Sequence, residues 1–262
     1  MLNIRNLHKT FNRDTLYEKK LYKDVNLSIK KGEFITVIGS NGAGKSTLFK
    51  LISNALQSDQ GSIIFGENDT TKNKAFQTAK RISAVVQDPK MGTVGGMTVF
   101  ENLAMAQMKG KKAGLGLCVQ SEQEYNYKTQ LAQFNLGLED KLHIQTKLLS
   151  GGQRQVLSLL MATMNIPELL LLDEHTAALD PKTSEKIMEI TDRVIKENNL
   201  TCLMITHKLE DALRFGNRLI MIHEGQILLD LKGREKEKLT IDSLLEKYNH
   251  VKGSLSDRQL FS

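Results

Sequence analysis

The sequence predicts an α/β fold with a mostly parallel sheet, and three observations point to it. Four short apolar runs, Phe34–Ile38, Leu169–Asp173, Thr201–Thr206 and Leu219–His223, read as buried strands. Helix-like stretches alternate with them, Lys45–Leu56 after the first and Lys182–Asn198 after the second. A glycine-rich segment joins the first strand to the first helix.

Taken in order, Leu2–Leu7 and Asp24–Ile29 alternate apolar and polar residues and read as strands, and Gly61–Phe65 reads as another strand after a turn; an N-terminal antiparallel β subdomain is expected. Lys31-Gly32-Glu33 is a turn before the buried run Phe34–Ile38. Ile82–Gln87 reads as a short strand ending in a polar residue. From Asp88 to about Leu149 the chain becomes rich in Met, Gln and Lys, with helical spacing in Val99–Met108 and Glu122–Leu136 and a loop at Gly110–Gly116. This segment, about 88–152, is expected to be a helical lobe inserted into the core. A helix is expected from Gln153, with Val156, Leu157, Leu159, Leu160 and Ala162 apolar. Residues 1–240 then form one domain, followed by a tail, 241–262, with a short helix at Ile241–Tyr248 and a polar end. No internal repeat is present.

The 262 residues are 40% hydrophobic and 25% charged, enough for a sizeable core. Three prolines and no long Gly/Ser tract argue against a disordered chain. The net charge of +6 permits nucleic acid, anionic lipid or nucleotide as partner. The lysines are scattered, with no aromatic-interleaved basic stripe, so nucleic acid is not expected. Cys118 and Cys202 are far apart and have no metal-type spacing, and Cys202 reads as a core thiol in a reducing compartment. No signal peptide and no bilayer-spanning apolar window are visible. Any service to a membrane would be by docking onto another chain.

Gly39-Ser40-Asn41-Gly42-Ala43-Gly44-Lys45-Ser46-Thr47 fits GxxxxGK[ST] between a strand and a helix. The glycines let backbone N–H groups converge on phosphate oxygens, and the helix N-terminus adds partial positive charge. Lys45 is placed for the β- and γ-phosphates of ATP and Ser46 for Mg²⁺. The plainer reading, a chance glycine-rich turn, does not account for strand, loop and helix together. Leu169-Leu170-Leu171-Leu172-Asp173-Glu174 sets two carboxylates at the C-terminal end of a buried strand, the edge where open α/β sheets bind ligands. Asp173 suits Mg²⁺ and Glu174 the attacking water; alone, the pair reads equally well as an acidic helix cap. Together the motifs specify only a phosphate-loop NTPase, with a RecA-like core expected.

Leu149-Ser150-Gly151-Gly152-Gln153, 105 residues from Lys45 to Ser150, stands before a helix and makes a second anion-binding helix start. Here the chain resembles the ATP-binding-cassette ATPases, whose signature is LSGGQ. The resemblance spans about Met1 to Asp230 and implies several roles. Ser150, Gly151, Gly152 and Gln153 would meet the γ-phosphate held by an opposite subunit, either a second copy or a paralogous cassette, in a head-to-tail ATP sandwich. Gln87 would sense Mg²⁺ and the attacking water. Asp180, in Ala178-Leu179-Asp180, would lie on the loop that crosses the dimer interface, and His207 would contact the γ-phosphate. Phe11 would stack on adenine, although a hydrophobic staple is the competing reading and the Phe11–Leu21 stretch, with Tyr17 and Tyr22 beside it, is longer than the family pattern.

The family has proline after the catalytic glutamate; this chain has His175, a variant resembling a subgroup associated with amino-acid-type importers. His175 either hydrogen-bonds near Glu174 or is a tolerated turn residue, and the sequence reading favours the second. The resemblance implies a motor subunit, peripheral on the cytoplasmic face of the cell membrane. It would drive separate transmembrane permease subunits, with an extracellular substrate-binding protein if it serves an importer of a small solute such as an amino acid. Exporters also use free-standing cassettes. Translation-type cassette proteins carry two cassettes per chain, and repair ATPases separate the two motifs by coiled coil, so neither fits. A lone-cassette ATPase of iron–sulfur cluster assembly stays open as the alternative.

Overall fold

A computed structural model describes residues 1–111 and 121–260. Cys118 and most of the Gly110–Gly116 loop lie outside the described residues. In chain order the elements are β1 (Leu2–Phe11), β2 (Lys19–Ile29), β3 (Phe34–Ile38), α1 (Lys45–Ile52), β4 (Gln60–Phe65), β5 (Asn68–Asp69), α2 (Ala75–Thr78) and β6 (Ile82–Val85). Then follow α3 (Val99–Gln107), α4 (Ser121–Ala132), α5 (Gly151–Thr163), β7 (Leu169–Asp173), α6 (Pro181–Glu197) and β8 (Cys202–Ile205). The last are α7 (Leu209–Arg214), β9 (Arg218–His223), β10 (Gln226–Lys232), α8 (Arg234–Glu237) and α9 (Ile241–Leu260).

The chain forms two compact units, Met1–Thr78 with Thr201 onward, and Ala79–Leu200. The first unit holds an antiparallel sheet in the order β2-β1-β4-β5. It also holds strands in the order β10-β9-β3-β8, in which β3 runs parallel to β8 and β9 and β10 is antiparallel to β9. β3 and β8 are buried at every residue, as expected of strands covered on both faces. Cys202 is wholly buried, which pushes its thiol pKa up and matches a core role. In the second unit β6 and β7 pair in parallel, Ile82 to Leu169 through Val85 to Leu172. Among the described residues no helix is long and apolar enough to cross a membrane.

Several boundaries differ from the sequence reading for local reasons. β1 and β2 are longer because a ladder irregularity breaks the apolar alternation. There Asn6 and Asp24 both take positive φ, and the Asn6 amide donates to the Asp24 carboxylate at 2.5 Å. α1 stops at Ile52 rather than Leu56, since Asn54 is left-handed (φ 57) and its amide donates to Thr70 O at 2.9 Å. α4 ends at Ala132, with Asn135 (φ 51) and Gly137 (φ 65) turning the chain. β6 ends at Val85, where its ladder with β7 ends, so Gln87 lies past the strand instead of closing it. α9 is one 20-residue helix where a short helix and a polar end were expected. Its first turns carry the good helix formers Leu244, Leu245, Glu246 and Lys247.

Candidate nucleotide site

In the first unit the glycine-rich loop leaves β3 and enters α1. Gly39 has φ 152, and a Cβ there would lie 2.0 Å from the Ile222 carbonyl oxygen. Gly44, the α1 N-cap, has φ 113, and a Cβ would lie 2.7 Å from the Tyr22 hydroxyl. Both the backbone angle and the space therefore demand glycine. The nearly buried Lys45 ammonium donates to Gly39 O at 2.8 Å and Ser40 O at 3.0 Å, so it sits inside the curl of the loop. Two outside struts hold the curl: Tyr22 Oη donates to Gly44 O at 2.7 Å, and Gly225 N donates to Ala43 O at 2.9 Å. Ser40, Asn41 and Gly42 are exposed, Ala43 is buried, and Ser46 and Thr47 are half-buried in the first turn of α1. A helix start with its N–H groups directed outward is an anion site.

The same unit carries two other expected residues. His207 is exposed just beyond β8, and Thr206 N donates to Val37 O at 3.2 Å. It therefore emerges at the strand edge from which the glycine loop also leaves. Phe11 is half-buried at the end of β1, opposite Lys19, with the Lys9 ammonium 5.6 Å from its ring centroid. The segment between Phe11 and Lys19 is a tight turn, Thr15 N to Asn12 O at 3.3 Å and Glu18 N to Thr15 O at 3.1 Å. It leaves Leu16 and Tyr17 exposed.

In the second unit, Asp173 and Glu174 stand at the C-terminal end of β7 and Gln87 just past the same end of β6, so the three share one edge. Glu174 has φ 48, a left-handed conformation that a non-glycine residue seldom adopts. Ala177 N donates to Glu174 O at 2.9 Å and closes the turn. His175 lies in the turn after β7, as the sequence reading favoured, but its ring is buried. Its ring is 2% exposed, and Nε2 lies 3.0 Å from the hydroxyl of buried Thr191. Burial lowers its pKa to about 4, so the ring is neutral near pH 7.

The LSGGQ segment caps α5. Gln153 N donates to Ser150 Oγ at 3.3 Å and Ser150 N to Gln153 Oε1 at 3.3 Å, a reciprocal capping box. The Gln153 amide also donates to Leu136 O at 3.0 Å and receives the Lys141 ammonium at 3.1 Å, which ties the α5 start to the segment after α4. A Cβ on Gly152 would lie 2.5 Å from Thr183 Cγ2, so glycine is what lets α5 approach α6. A Cβ on Gly151 would be 3.3 Å from Leu179, which places the exposed Ser150–Gly151 edge beside the Leu179–Asp180 turn. Asp180 caps α6 by accepting from Thr183 N at 3.0 Å, ahead of Pro181 at the first helical position. The Thr183 hydroxyl and N–H hold its carboxyl below the usual range.

Sequence reasoning assigned no role to three residues that shape these loops. Tyr22 braces Gly44. Thr191 receives His175. Arg154, 7% exposed, donates from Nε to Thr146 O at 2.9 Å and fixes the turn before Leu149. The signal for Arg154 was its place one residue past LSGGQ; Tyr22 and Thr191 had none, because their partners are distant in sequence.

The family model for ABC transporters matches residues 22–177. The chain is 44% identical over 251 residues to a tyrosine transport ATP-binding protein of Clostridioides difficile, covering 96% of this chain and all of that one. It is 32% identical to a phosphonates import ATP-binding protein of Lactococcus lactis subsp. lactis, covering 94% of this chain and 99% of that one. Among solved structures it resembles a dimeric ATP-binding cassette in a post-hydrolysis state with ADP and phosphate (TM-score 0.74, 28% identity, 88% of this chain, 98% of the other). It also resembles an ABC-transporter cassette in its ADP conformation (TM-score 0.75, 26% identity, 95% and 98%). The chain belongs to the ATP-binding-cassette transporter family, as an ATP-binding subunit that hydrolyses ATP to drive transport.

Proposed function

We propose that two copies of this chain close head to tail around two ATP molecules and power import of a small solute, such as an amino acid, through separate membrane permeases. The observation that carries the reading is the glycine loop curled around the Lys45 ammonium, set between a buried strand and a helix start. In this reading backbone N–H groups of Gly39–Thr47 and Lys45 hold the phosphates, Phe11 stacks on adenine and His207 meets the γ-phosphate. Glu174 accepts a hydrogen bond from the attacking water and shares its proton. Ser150, Gly151, Gly152 and Gln153 face the γ-phosphate of the other copy, with Asp180 at the interface. Gln153 does so through its backbone, since its side chain is engaged in the capping box.

In this reading Mg²⁺ would be held by the Ser46 hydroxyl, the Asp173 carboxylate and the Gln87 amide oxygen, which by chemistry are hard oxygens of the kind that bind it beside nucleotide phosphates. Bound there, it would neutralise phosphate charge. The lobe 88–152 is the proposed permease-docking part. Supporting this, the segments around Val94–Met97 and Ile144–Lys147 pair through Thr146 N to Met97 O at 2.9 Å and Lys147 N to Gly95 O at 3.1 Å. Val94, Met97, Ile144 and Leu148 are exposed there, with Met91 nearby in sequence. An importer in this arrangement works from the cytoplasmic face, with an extracellular binding protein delivering solute. The tyrosine and phosphonate relatives support a small polar solute.

The test pairs two variants. Lys45→Ala removes the phosphate cation and is expected to abolish ATP binding. Ser150→Arg fills the face offered to the other copy and is expected to bind ATP normally yet neither dimerise nor hydrolyse. Normal hydrolysis by Ser150→Arg overturns the head-to-tail reading.

A further inference from the structure

We propose that His175 is a positioning residue for Glu174, holding the carboxylate's backbone in place through a buried hydrogen bond to Thr191 of α6. The inference rests on the reading of Glu174 as the hydrolytic carboxylate. The left-handed region disfavours side chains because Cβ crowds the next carbonyl, and such residues persist where their surroundings over-determine them. Glu174, at φ 48, is constrained from both sides. Before it, the β6–β7 ladder ends at Leu172, one residue short of Asp173. After it, the imidazole of His175 is buried, and the loop closes through Ala177 N to Glu174 O at 2.9 Å and Leu179 N to Thr176 O at 3.3 Å.

The direction of the bond to Thr191 follows from counting protons. The Thr191 hydroxyl has one proton, and it goes to Ile187 O at 2.7 Å. The 3.0 Å bond is therefore donated by His175 Nε2–H, which places a proton on that nitrogen. Both partners are almost wholly shielded from solvent, so no water replaces the bond when it is lost. With this post removed, the Glu174 backbone can relax towards right-handed angles and carry its carboxylate off the strand axis. The effect is expected on turnover more than on nucleotide affinity, because the phosphate loop is held by its own contacts with Lys45, Tyr22 and Gly225.

The test uses the full chain with ATP and Mg²⁺ well below its melting temperature, measuring kcat, ATP Kd and Tm for Thr191→Val and Thr191→Ser. Valine keeps the shape and removes the acceptor; serine keeps the acceptor. Thr191→Val is expected to lose about tenfold or more in kcat, with ATP Kd within about twofold of the parent, while Thr191→Ser keeps most of the rate. If Thr191→Val does not fold, His175→Gln and His175→Leu make the same comparison, glutamine retaining an N–H donor and most of the rate. Glu174→Gln in the same assay separates two failures. If it hydrolyses at the parent rate, the reading of Glu174 falls and the inference with it. If it is inactive while Thr191→Val has a lowered Tm but the parent rate per folded molecule, the inference alone is overturned.

Discussion

The glycine loop after β3 and the acidic loop after β7 both need left-handed backbone, and they obtain it by opposite means. The first uses glycines, Gly39, Gly42 and Gly44, at φ 152, 77 and 113. In the proposed function its backbone N–H groups hold the phosphates, so no side chain is needed at those positions. The second puts Glu174 at φ 48, where glycine would be easier; in the proposed function the carboxylate itself is needed there. The left-handed angle is then imposed by neighbours, the strand end on one side and the His175–Thr191 bond on the other. Where backbone is the reagent, the sequence advertises the loop as glycines; where a side chain is the reagent, the supporting device is scattered and buried.

This contrast can be broken or sharpened by substitution. The largest effect on the backbone side of this contrast is expected for Gly39→Ala, whose Cβ would meet Ile222 O at 2.0 Å. Backbone must shift, and ATP affinity should fall about 100-fold or more, roughly 3 kcal/mol, measured by equilibrium binding. Near-parental affinity would show that the loop tolerates a right-handed path.

A second effect is pH-dependent. The His175 pKa is about 4 when folded, against 6.5 as its ordinary value. Between these values the unfolded chain takes up a proton that the folded ring excludes. This contribution to stability is complete above pH 6.5 and lost as pH falls towards 4, by up to about 3 kcal/mol. Denaturant unfolding without nucleotide, parent against His175→Gln, reads it as a difference that shrinks with acidification. Parallel profiles would contradict the buried neutral ring.

The smallest effect compares Glu174→Gly with Glu174→Ala. At most ordered positions alanine is the more stabilising of the two, yet at a left-handed site glycine should win by about 1 kcal/mol in Tm-derived stability. If alanine were as stable as glycine, the strain assigned to Glu174 would be absent.

Much of this was legible in the sequence. β3 and β7 were visible because each is a continuous apolar run, and the phosphate loop and LSGGQ because glycine spacing carries a backbone mechanism. β10 was missed, since its residues are at most half-buried and show no clean alternation. The β1–β2 pair was shortened by the irregularity at Asn6 and Asp24, which interrupts a period that the eye follows. The burial of His175 was not legible because a polar residue in a loop normally faces water, and nothing local announces that Thr191, sixteen residues on, receives it. The extent of the second unit, Ala79–Leu200, was equally hidden, because it joins β6, β7 and α6 to the helices by tertiary packing and not by composition.

The central claim is that Glu174 acts on water while the rest of the site holds ATP, and one measurement addresses it most directly. Glu174→Gln preserves shape and removes basicity. Size-exclusion chromatography with ATP and Mg²⁺ is run beside a phosphate-release assay. The account predicts a stable ATP-dependent dimer with phosphate release slowed by about 10²- to 10⁴-fold, roughly 3 to 5 kcal/mol in the barrier. A Glu174→Gln protein that stayed monomeric with ATP and hydrolysed it at the parent rate would contradict it.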